Sequence, residues 1–365
     1  MINKILITGG HAGSTAYSFI QEIQKKEPGW KIVFVGSKRA VEGKNVPTLE
    51  FKYFPKLGIK YIAIRGGRIQ RKLSRWTIPS ILKIPLGFYD AYCVLASEKP
   101  DIVVSFGGYI ALPIIIISWL KRIPVVVHEQ TAAAGRVNIL SAFFADKIAI
   151  SRIGSTKYFP KQKCELIGNP ISTDVISCKR KNTERDLKSI LITGGSRGAS
   201  VINENVAPIM KDLLKKYRVY HQTGEIGYQK YKELKNSLEY IYRERYTVFP
   251  IVEMSKMSSY FEKADILVSR AGANTVSELV YLGIPSVLIP LPYNYLDEQF
   301  QNALYAKSLG IAEIITQNKL TPQVLYEKIE YISKNWRNIV KSSKRPEIDD
   351  SKASAKLLRL ISEYA

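Results

Sequence analysis

The sequence is poor in cysteine and in long apolar runs, and both shortages exclude classes of protein. The three cysteines, Cys93, Cys164 and Cys178, have a scattered spacing that matches no disulfide framework or metal site, which indicates a reducing compartment. The longest apolar run, residues 110–120, is about half of the ~20 residues that a membrane span needs, and Pro113 interrupts it. Because the first residues lead directly into a strand and a glycine loop, we expect no signal peptide. We therefore expect a cytosolic or peripheral protein.

Motifs for metal ions and organic cofactors are also missing. The sequence contains no Asp-x-Asp pair and no His, Asp or Glu cluster with ligand spacing, so we expect no metal site. Neither of the two Thr-Gly-Gly turns continues into the Gly-Lys-Ser/Thr of a Walker loop, and both lack the complete G-x-G-x-x-G of hydride-transferring enzymes. We therefore expect no cofactor. The negative charge of any diphosphate leaving group would then have to be balanced by helix N-termini and by the excess of basic residues.

Acidic residues are scarce relative to basic ones, with 32 Asp and Glu against 54 Lys and Arg and a net charge of +22. This excess predicts an anionic partner (nucleotide, phospholipid or nucleic acid), and a merely lysine-rich composition is the alternative. Residues 56–89, which begin at Lys56 and end at Tyr89, mix eight basic residues with aliphatic and aromatic ones and contain no acidic residue. Such a stretch suits the surface of an anionic bilayer, and a solvated basic face over a core helix is the alternative. No nucleic-acid-binding motif accompanies the charge, so we expect no nucleic acid partner.

What the sequence does contain is an internal repeat. The letters Ile-Leu-Ile-Thr-Gly-Gly occur at residues 5–10 and again at 190–195, and each copy precedes a small-residue loop and an apolar-periodic helix. A strand, a glycine turn and a helix form the opening unit of a doubly wound α/β domain. Short β-rich runs alternate with helical stretches after each copy, as expected for buried parallel sheets. The 365 residues are also enough for two domains.

These patterns predict an α/β protein of two tandem Rossmann-like, doubly wound parallel-sheet domains that face a central cleft. We place the first domain at residues 1–167 and the second at 168–347, with linker-like sequence at 168–188. Residues 348–365 are expected to form a terminal helix that packs back on the first domain. Its apolar face is predicted from the helical spacing of three residues, Ala355, Leu358 and Ile361.

Candidate ligand-binding residues lie where predicted strands end, because open α/β sheets bind ligands at the carboxyl ends of their strands. Thr8, Gly9 and Gly10 form the first glycine turn, which allows a phosphate to approach the backbone and the N-terminus of the following helix. The alternative is a tight strand-to-helix turn without a ligand. His11 follows this turn, and a neutral imidazole there is suited to accept a proton from an attacking hydroxyl group.

The other two histidines also lie beside strand ends. His128 and Glu129 follow an apolar run at residues 125–127. The carboxylate either orients the imidazole and raises its basicity or satisfies a helix N-terminus, and the sequence leaves both alternatives open. His221 is predicted to be a buried core histidine whose ring nitrogens are both hydrogen-bonded.

The densest polar cluster, residues 269–278, has the sequence Ser-Arg-Ala-Gly-Ala-Asn-Thr-Val-Ser-Glu. Its small residues leave space for a ligand close to the backbone. We expect Ser277 and Glu278 in the first turn of a helix, where the carboxylate would accept hydrogen bonds from two ribose hydroxyls. The alternative is ordinary capping, with Asn274 or Thr275 as the cap and Glu278 interacting favourably with the helix dipole.

Ordered motifs along the chain match one known family. They are Thr-Gly-Gly-His at 8–11, Ser-Phe-Gly-Gly-Tyr at 105–109, Ile-Pro-Val-Val-Val-His-Glu-Gln at 123–130, Gly-Asn-Pro at 168–170, Gly-Gly-Ser-Arg-Gly-Ala at 194–199, His221-Gln222, the 270–278 segment, Gly-Ile-Pro at 283–285, and Gln299 with Asn302. On these motifs, and over nearly its whole length, the chain resembles bacterial peptidoglycan N-acetylglucosaminyltransferases of glycosyltransferase family 28, which convert lipid I to lipid II.

The resemblance implies a GT-B fold and an inverting, metal-independent transfer of N-acetylglucosamine. The implied donor is UDP-N-acetylglucosamine. The implied acceptor is undecaprenyl-diphosphate-linked N-acetylmuramoyl pentapeptide, at the cytoplasmic face of the cell membrane. The protein would attach to that face as a peripheral protein.

The resemblance also implies roles for individual residues. On the acceptor side, the first glycine turn would line the cleft, His11 would be the general base, His128 and Glu129 would face the acceptor, and Tyr109 would contact substrate. The implied donor-side residues are Ser196 for the diphosphate, the Met254 backbone for uracil, Ala273, Asn274, Thr275, Val276, Ser277 and Glu278 for phosphate and ribose, and Gln299 for the sugar.

The sequence departs from the family pattern at three places. Thr131 stands where the family usually has Asn, and Ser172 stands where it usually has Arg. Both positions are expected to be donor-side substrate contacts. The first glycine loop also lacks the bulkier residues and the Pro that commonly follow the His. These departures bear on donor identity and affinity more than on the fold.

Two other functions are alternatives at this point. One is a related two-lobed enzyme, either a glycosyltransferase with another lipid acceptor or donor, or a nucleotide-sugar epimerase. The basic, apolar stretch at residues 56–89 favours a lipid acceptor over an epimerase. The other is a catalytically silent nucleotide-sugar-binding protein, for which Thr131 and Ser172 are the support.

Overall fold

A computed structural model of the chain describes residues 2–10, 13–39, 47–67, 77–184, 186–195, 198–292 and 295–364. By contacts the chain divides into two compact units. The first comprises Met1–Thr173 together with Asp350–Ala365, and the second comprises Asp174–Asp349.

The first unit is built on a parallel sheet. Its strands are β1 (Lys4–Thr8), β2 (Lys31–Gly36), β3 (Lys60–Ala63), β4 (Ile102–Ser105), β5 (Val125–Glu129), β6 (Lys147–Ile150) and β7 (Cys164–Leu166). They pair in the order β3-β2-β1-β4-β5-β6-β7. The helices between them are α1 (Gly13–Lys26), α2 (Leu49–Tyr53), α3 (Thr77–Glu98), α4 (Ala111–Leu120) and α5 (Arg136–Ser141).

The second unit repeats this architecture. Its strands are β8 (Ser189–Thr193), β9 (Arg218–Gln222), β10 (Tyr246–Phe249), β11 (Ile266–Ser269), β12 (Ser286–Leu288) and β13 (Ala312–Ile314), in the order β10-β9-β8-β11-β12-β13. Its helices are α6 (Thr173–Ile176), α7 (Ser200–Val206), α8 (Met210–Lys216), α9 (Tyr228–Ser237), α10 (Tyr240–Arg243), α11 (Met254–Lys263), α12 (Ala273–Leu282), α13 (Glu298–Ser308) and α14 (Pro322–Ser342).

Both sheets place their third, second, first, fourth and fifth strands side by side, which is the Rossmann order. All strand pairs that the structure describes within the two sheets are parallel. The repeated Ile-Leu-Ile-Thr segment forms the first strand of each sheet, β1 and β8, and its residues are buried. The predicted α/β class, with two tandem doubly wound parallel sheets, is confirmed.

The helices after the two glycine turns differ from each other. Helix α1 is continuous and buries the predicted face, which consists of Ala16, Phe19, Ile20 and Ile23. The helix predicted after the second turn is interrupted: α7 ends at Val206, a 3-10 turn spans Ala207–Ile209, and α8 begins at Met210. Pro208 explains the interruption, because proline has no N–H to donate and its ring clashes with the preceding turn.

The end of the chain packs on the first unit. Helix α15 (Ala353–Ser362) lies against α1, where the Ser354 hydroxyl donates to the Ser18 carbonyl at 3.3 Å. Leu358 and Ile361 are buried, as their spacing predicted, but Ala355 is exposed. The apolar face of α15 is completed instead by Leu357 and Leu360, because the buried stripe is rotated from the predicted one.

Charged residues in the segment predicted to be a linker form hydrogen bonds with helices of the second unit. In the second unit, Arg180 donates through Nη1 to the carbonyls of Val280 and Tyr281, at 2.7 Å each. The Lys181 ammonium donates to the Glu262 carbonyl at 2.6 Å, and its side chain is buried. A cation next to the last carbonyls of α12 is favourable because it complements the helix dipole. This part of the predicted linker is therefore packed structure.

Within the described ranges, no helix combines the length and the apolarity needed to cross a membrane.

Candidate active site

The first glycine turn is held by backbone contacts at the carboxyl ends of β1 and β4. Gly10 N donates to the Gly107 carbonyl at 2.8 Å. The Thr8 side chain is buried and donates to the Val35 carbonyl at 3.0 Å, so it fixes the strand end and does not point to solvent. Gly108 has a φ of 88°, and a Cβ there would lie 2.7 Å from Gly10 N. Gly108 therefore allows the turn at residues 105–109 to pack against the first glycine turn, because a side chain there would clash with the Gly10 backbone.

A small pocket opens beside this turn. It is lined by the backbone of Gly9 and Gly10 and by Glu50, Tyr61 and Tyr109, among others. Tyr109 is half-buried, and its predicted contact with substrate stays a prediction. His11 is the predicted general base and follows the turn in the chain, but it lies outside the residues that the structure describes. Glu50 was not predicted, because it belongs to no motif and lies on α2, far along the chain from the turn.

His128 lies inside the first unit. Its side chain is fully buried, and Nε2 lies 3.1 Å from the Gly168 carbonyl and 3.3 Å from the Ser151 hydroxyl. Burial lowers the pKa of His128 to about 4, so the imidazole is neutral at physiological pH. These contacts fix the ring at the end of β5, and the catalytic, acceptor-side role predicted for His128 stays a prediction.

Glu129 is a buried acceptor for its own loop. One carboxylate oxygen accepts from the Thr131 N–H at 3.1 Å and hydroxyl at 3.0 Å, and the other accepts from Gly135 N at 2.9 Å and Asn138 Nδ2 at 2.8 Å. Burial raises the pKa of Glu129, and these four donors oppose the rise. Gly135 is the N-cap residue of α5. Of the two alternatives for Glu129, the structure thus supports the one in which it satisfies a helix N-terminus.

The two positions that depart from the family pattern are both buried. The Thr131 hydroxyl donates to Glu129 and also contacts the Ala133 carbonyl, so it is oriented into the loop. Ser172 is 6% exposed. Gln130, directly before Thr131, accepts from the Thr15 hydroxyl at 3.1 Å and thereby connects this loop to the start of α1. The substrate contacts predicted for Thr131 and Ser172 stay predictions.

The second glycine turn follows β8. The Thr193 hydroxyl donates to Gln222 Oε1 at 2.5 Å and accepts from Gly195 N at 3.0 Å. This arrangement fixes the start of the turn at the carboxyl end of the strand. Ser196, predicted to contact the diphosphate, lies outside the described residues.

Helix α12 begins at Ala273 with an open first turn. Gly272 is its N-cap residue, with extended φ and ψ, and no described side chain caps the helix. The expectation that Asn274 or Thr275 is the cap is therefore wrong, because the chain enters the helix earlier than predicted. The first intrahelical bond runs from Val276 N to the Gly272 carbonyl, so the preceding N–H groups have no intrahelical acceptor.

Ser277 and Glu278 were expected in the first turn of α12, but both lie in the second turn because the helix begins at Ala273. Ser277 is buried. The Glu278 side chain is partly exposed and has no hydrogen-bond partner among the described residues. Burial raises the pKa of Glu278 to about 8. An uncompensated carboxyl group on the helix with the open N-terminus is suited to bind hydroxyl groups of a ligand.

Polar side chains of α13 anchor the loops that follow β11 and β12. Gln299 Oε1 accepts from Leu291 N at 2.9 Å, and Asn302 Nδ2 donates to the Ala271 carbonyl at 3.1 Å. Arg270 Nη2 donates to Gln317 Oε1 at 2.8 Å. Met254, predicted to contact uracil through its backbone, is the first residue of α11.

His221 is a structural histidine, as predicted. Its ring nitrogens lie 2.8 Å from the Tyr246 hydroxyl and 3.0 Å from Asn203 Oδ1, and its side chain is fully buried. Burial lowers the pKa of His221 to about 3, so the ring stays neutral. The prediction of a satisfied core histidine is confirmed.

Known proteins resemble this chain in both units. Residues 5–150 match the glycosyltransferase family 28 N-terminal domain, and residues 189–358 match the glycosyltransferase family 28 C-terminal domain. The UDP-N-acetylglucosamine–N-acetylmuramyl-(pentapeptide) pyrophosphoryl-undecaprenol N-acetylglucosamine transferase of Acetivibrio thermocellus is 33% identical over 99% of this chain and 98% of its own length. The chain belongs to glycosyltransferase family 28.

Solved structures agree with this family 28 membership. A crystal structure of MurG from Acinetobacter baumannii superposes with a TM-score of 0.69 and 25% identity, covering 99% of both chains. The structure of a UDP-GlcNAc 2-epimerase from Methanocaldococcus jannaschii superposes with a TM-score of 0.63 at 14% identity, again over 99% of both chains. At that identity the likeness to the epimerase shows the fold alone. This family 28 chain is a glycosyltransferase with the GT-B fold.

Proposed function

We propose that the chain transfers N-acetylglucosamine from UDP-N-acetylglucosamine to an undecaprenyl-pyrophosphoryl N-acetylmuramyl-pentapeptide and so makes lipid II. The names of relatives that match nearly the whole chain support this reaction. The observation in the structure that carries the proposal is the uncapped first turn of α12, which lies on the same helix as Glu278, whose carboxyl group has no hydrogen-bond partner in the part of the chain that the structure describes. N–H groups that have no intrahelical acceptor suit a diphosphate and a carboxyl group suits ribose hydroxyls, so this helix fits a nucleoside diphosphate.

The remaining donor contacts extend this site. Gln299 Oε1 accepts from Leu291 N and so holds the loop after β12 in place. The amide group of Gln299, fixed at this loop, would bind the sugar. The backbone at the start of α11, at Met254, would bind uracil, and Ser196 would bind the diphosphate. Helix N-termini and the basic excess would stabilise the departing UDP without requiring a metal ion.

The acceptor would bind to the first unit at the first glycine turn. His11 would take the proton from the acceptor hydroxyl as its oxygen forms a bond to the anomeric carbon of the donor sugar. The bond from that carbon to the UDP oxygen breaks at the same time, which inverts the configuration. Gly9, Gly10 and Tyr109 would line the acceptor pocket. His128 would act on the acceptor side, and Glu129 would act only through the position that it gives to the neighbouring loop.

The first experiment is transfer of radiolabelled sugar from UDP-N-acetylglucosamine to a short-chain lipid I analogue in the presence of EDTA. Labelled lipid is expected. If this donor gives no labelled product but another nucleotide sugar does, the proposed donor is wrong. Thr131 and Ser172 would then be the first residues to examine for donor choice. Conversion of the donor without any acceptor would indicate an epimerase. Tight nucleotide binding without transfer to any lipid would indicate a silent binding protein.

A second experiment tests His11. Replacing it with alanine should lower turnover by about two to four orders of magnitude, the usual contribution of general base catalysis, and leave UDP binding unchanged. Unchanged turnover would remove His11 from the mechanism.

We further propose that the first unit attaches the enzyme to the anionic, cytoplasmic surface of the membrane as a peripheral protein. Leu82, Leu86 and Tyr89 lie on one face of α3 and are 67%, 41% and 64% exposed. Helix α4 packs beside α3 and ends with Trp119 and Leu120, which are 52% and 62% exposed. Exposed aromatic and aliphatic residues in a basic surrounding are typical of interfacial binding. Of the predicted stretch at 56–89, residues 68–76 lie outside the described residues.

Sedimentation with vesicles tests this attachment. Binding to vesicles that contain anionic lipid should weaken as salt is added and when the anionic lipid is omitted. Leu86→Asp and Trp119→Asp should each weaken it. Ile226→Asp, at a 90% exposed position of the second unit, is the matched control and should leave binding unchanged. Salt-independent binding, or equal loss in all three variants, would refute the assignment of this surface.

A further inference from the structure

The segment that follows β3, residues 64–67, lies between helix α3 and the ring of Tyr109. At its start, Ile64 N donates to the Gly36 carbonyl at 3.1 Å, which continues the pairing of β3 with β2. The two residues that follow contact α3 on one side and the turn that carries Tyr109 on the other. The proposed mechanism makes no use of these contacts.

Asp90 on α3 binds both the main chain and the side chain of Arg65. Its Oδ2 accepts from Arg65 N and Nε at 2.9 Å each, and its Oδ1 accepts from Nη2 at 2.5 Å. The hydrogen bonds from the guanidinium hold the pKa of the Asp90 carboxyl group below its ordinary value, so this group is ionised at neutral pH. Most exposed ion pairs contribute little, but a bidentate pair that also binds a backbone N–H fixes the position of the main chain.

A glycine in α3 shows how closely the segment approaches the helix. Gly87 lies in the interior of α3, where glycine is less favourable than alanine. It is buried, and a Cβ there would lie 2.6 Å from the Arg65 carbonyl oxygen. An alanine would therefore collide with the backbone of the segment. The absence of a side chain at Gly87 allows the 64–67 segment to pack directly on the helix.

Gly66 places the same segment against the Tyr109 ring. A Cβ on Gly66 would lie 2.6 Å from Tyr109 Cε2, so the Gly66 backbone is in contact with the edge of the ring. Tyr109 also directly follows Gly108, which packs against the Gly10 backbone. The position of the ring is therefore set both by the first glycine turn and by the 64–67 segment.

We propose that Asp90 is a positioning residue that, through Arg65 and Gly66, fixes the Tyr109 ring for contact with the acceptor. A ring that is held in place before the acceptor arrives loses less conformational entropy on binding. The inference rests on the proposed function for the contact between Tyr109 and the acceptor. The contacts that lead from Asp90 to the ring do not depend on that function. Stabilisation of the first unit alone is the alternative.

Steady-state kinetics of Asp90→Ala separate these alternatives. The variant should raise KM for the short-chain lipid I analogue about two- to tenfold, the usual cost of ordering one side chain on binding. It should retain most of kcat, and KM for the donor should be unchanged. A purely structural role would instead lower the fraction of active enzyme, which lowers kcat and leaves KM as it is.

Glu98→Ala is the matched control, because Glu98 also joins α3 to β3. Its Oε1 lies 2.6 Å from Lys60 Nζ, at the other end of the helix from Asp90. Glu98→Ala should lower stability without changing KM for the acceptor. An equal rise of KM in both variants would overturn the proposal. If either variant does not fold, Lys60→Ala and Arg65→Ala break the same two ion pairs from their more exposed sides.

A double-mutant cycle tests whether Asp90 acts through Tyr109. Tyr109→Ala should raise KM for the acceptor, and the addition of Asp90→Ala should raise it no further, since the ring that Asp90 positions is already absent. Increases that multiply in the double variant would show that Asp90 acts by another route and would overturn the proposal.

Fluorine NMR keeps this proposal distinguishable from the proposed function. Fluorotyrosine incorporated at position 109 reports the surroundings of the ring without any transfer. Its resonance should shift in Asp90→Ala and stay unchanged in Glu98→Ala. This result, together with a wild type that makes no product, would support the assignment of Asp90 and refute the proposed reaction. An unshifted resonance in Asp90→Ala, or transfer by the wild type with an unaltered KM for the acceptor in that variant, would refute the assignment of Asp90 alone.

Discussion

Arg152 and Asp350 form a bidentate ion pair that ties the C-terminal segment to the rest of the first unit. Nη1 lies 2.7 Å from Oδ1 and Nη2 lies 2.6 Å from Oδ2, and both side chains are nearly buried. Oδ1 also accepts from Asn169 N at 2.9 Å. A single carboxylate thus fixes both the strand-end segment at Asn169 and the approach to α15, although the ion pair spans 198 residues of sequence.

Asp350→Asn should lower the free energy of unfolding by about 3–5 kcal/mol, because it leaves the buried Arg152 charge uncompensated. Urea unfolding measures this loss, and limited proteolysis should cleave earlier near α15. Asp186→Asn removes the exposed pair with Arg337 and is the matched control, with an expected loss below about 1 kcal/mol. Equal losses in the two variants would contradict the role assigned to Asp350.

A methyl group at Gly108 should disturb the first glycine turn. Its φ of 88° is unfavourable for alanine, and the added Cβ would lie 2.7 Å from Gly10 N. Gly108→Ala should therefore lower both transfer activity and thermal stability, the latter by roughly 1–3 kcal/mol. At Gly29 an added Cβ meets nothing within 4 Å, so Gly29→Ala should be neutral or slightly stabilising. Comparable melting temperatures for both variants would show that the turns tolerate a side chain.

Local sequence patterns predicted the repeated core well. Two identical hexapeptides indicated β1 and β8, and the apolar spacing after the first turn indicated the buried face of α1. These features depend on residues that are close together in the sequence, so the spacing of apolar residues is enough to predict them. The break at Pro208 could also have been read from the sequence, since proline interrupts a helix wherever it occurs in the interior.

Contacts between distant segments escaped sequence reasoning. Glu50 enters the pocket at Gly10 from a separate helix, and no spacing rule connects the two positions. Likewise, the hydrogen bonds of Glu129 to Gly135 and Asn138 exist only because the chain folds back after β5. A His-Glu pair looks the same in sequence whether its carboxylate serves an imidazole or a loop.

The two neutral core histidines should make stability depend on pH. Their pKa values of about 4 for His128 and about 3 for His221 lie below the unfolded value of about 6.5. The unfolded state therefore binds more protons below pH 6.5, so stability is lost as the pH falls, by up to about 1.4 kcal/mol per pH unit for each histidine. Urea unfolding of wild type and His221→Gln at pH 7, 6 and 5 should show a gap that narrows as the pH falls. A gap independent of pH would contradict the buried, neutral state of His221.

Nucleotide binding should release a proton from Glu278. Its pKa of about 8 means that the free protein holds this carboxyl group mostly protonated at pH 7. Ribose hydroxyls that donate to the carboxylate stabilise the ionised form, so UDP binding lowers the pKa and affinity should rise with pH up to about 8, at most tenfold per unit. Calorimetry at pH 7 in two buffers with different ionisation heats measures the released proton. Glu278→Gln should abolish both the release and the pH dependence, whereas Glu327→Gln, an exposed position on α14, should retain them. Proton release that persists in Glu278→Gln would mean that another group contacts the ribose, and UDP affinity equal to wild type in that variant would remove Glu278 from the donor site.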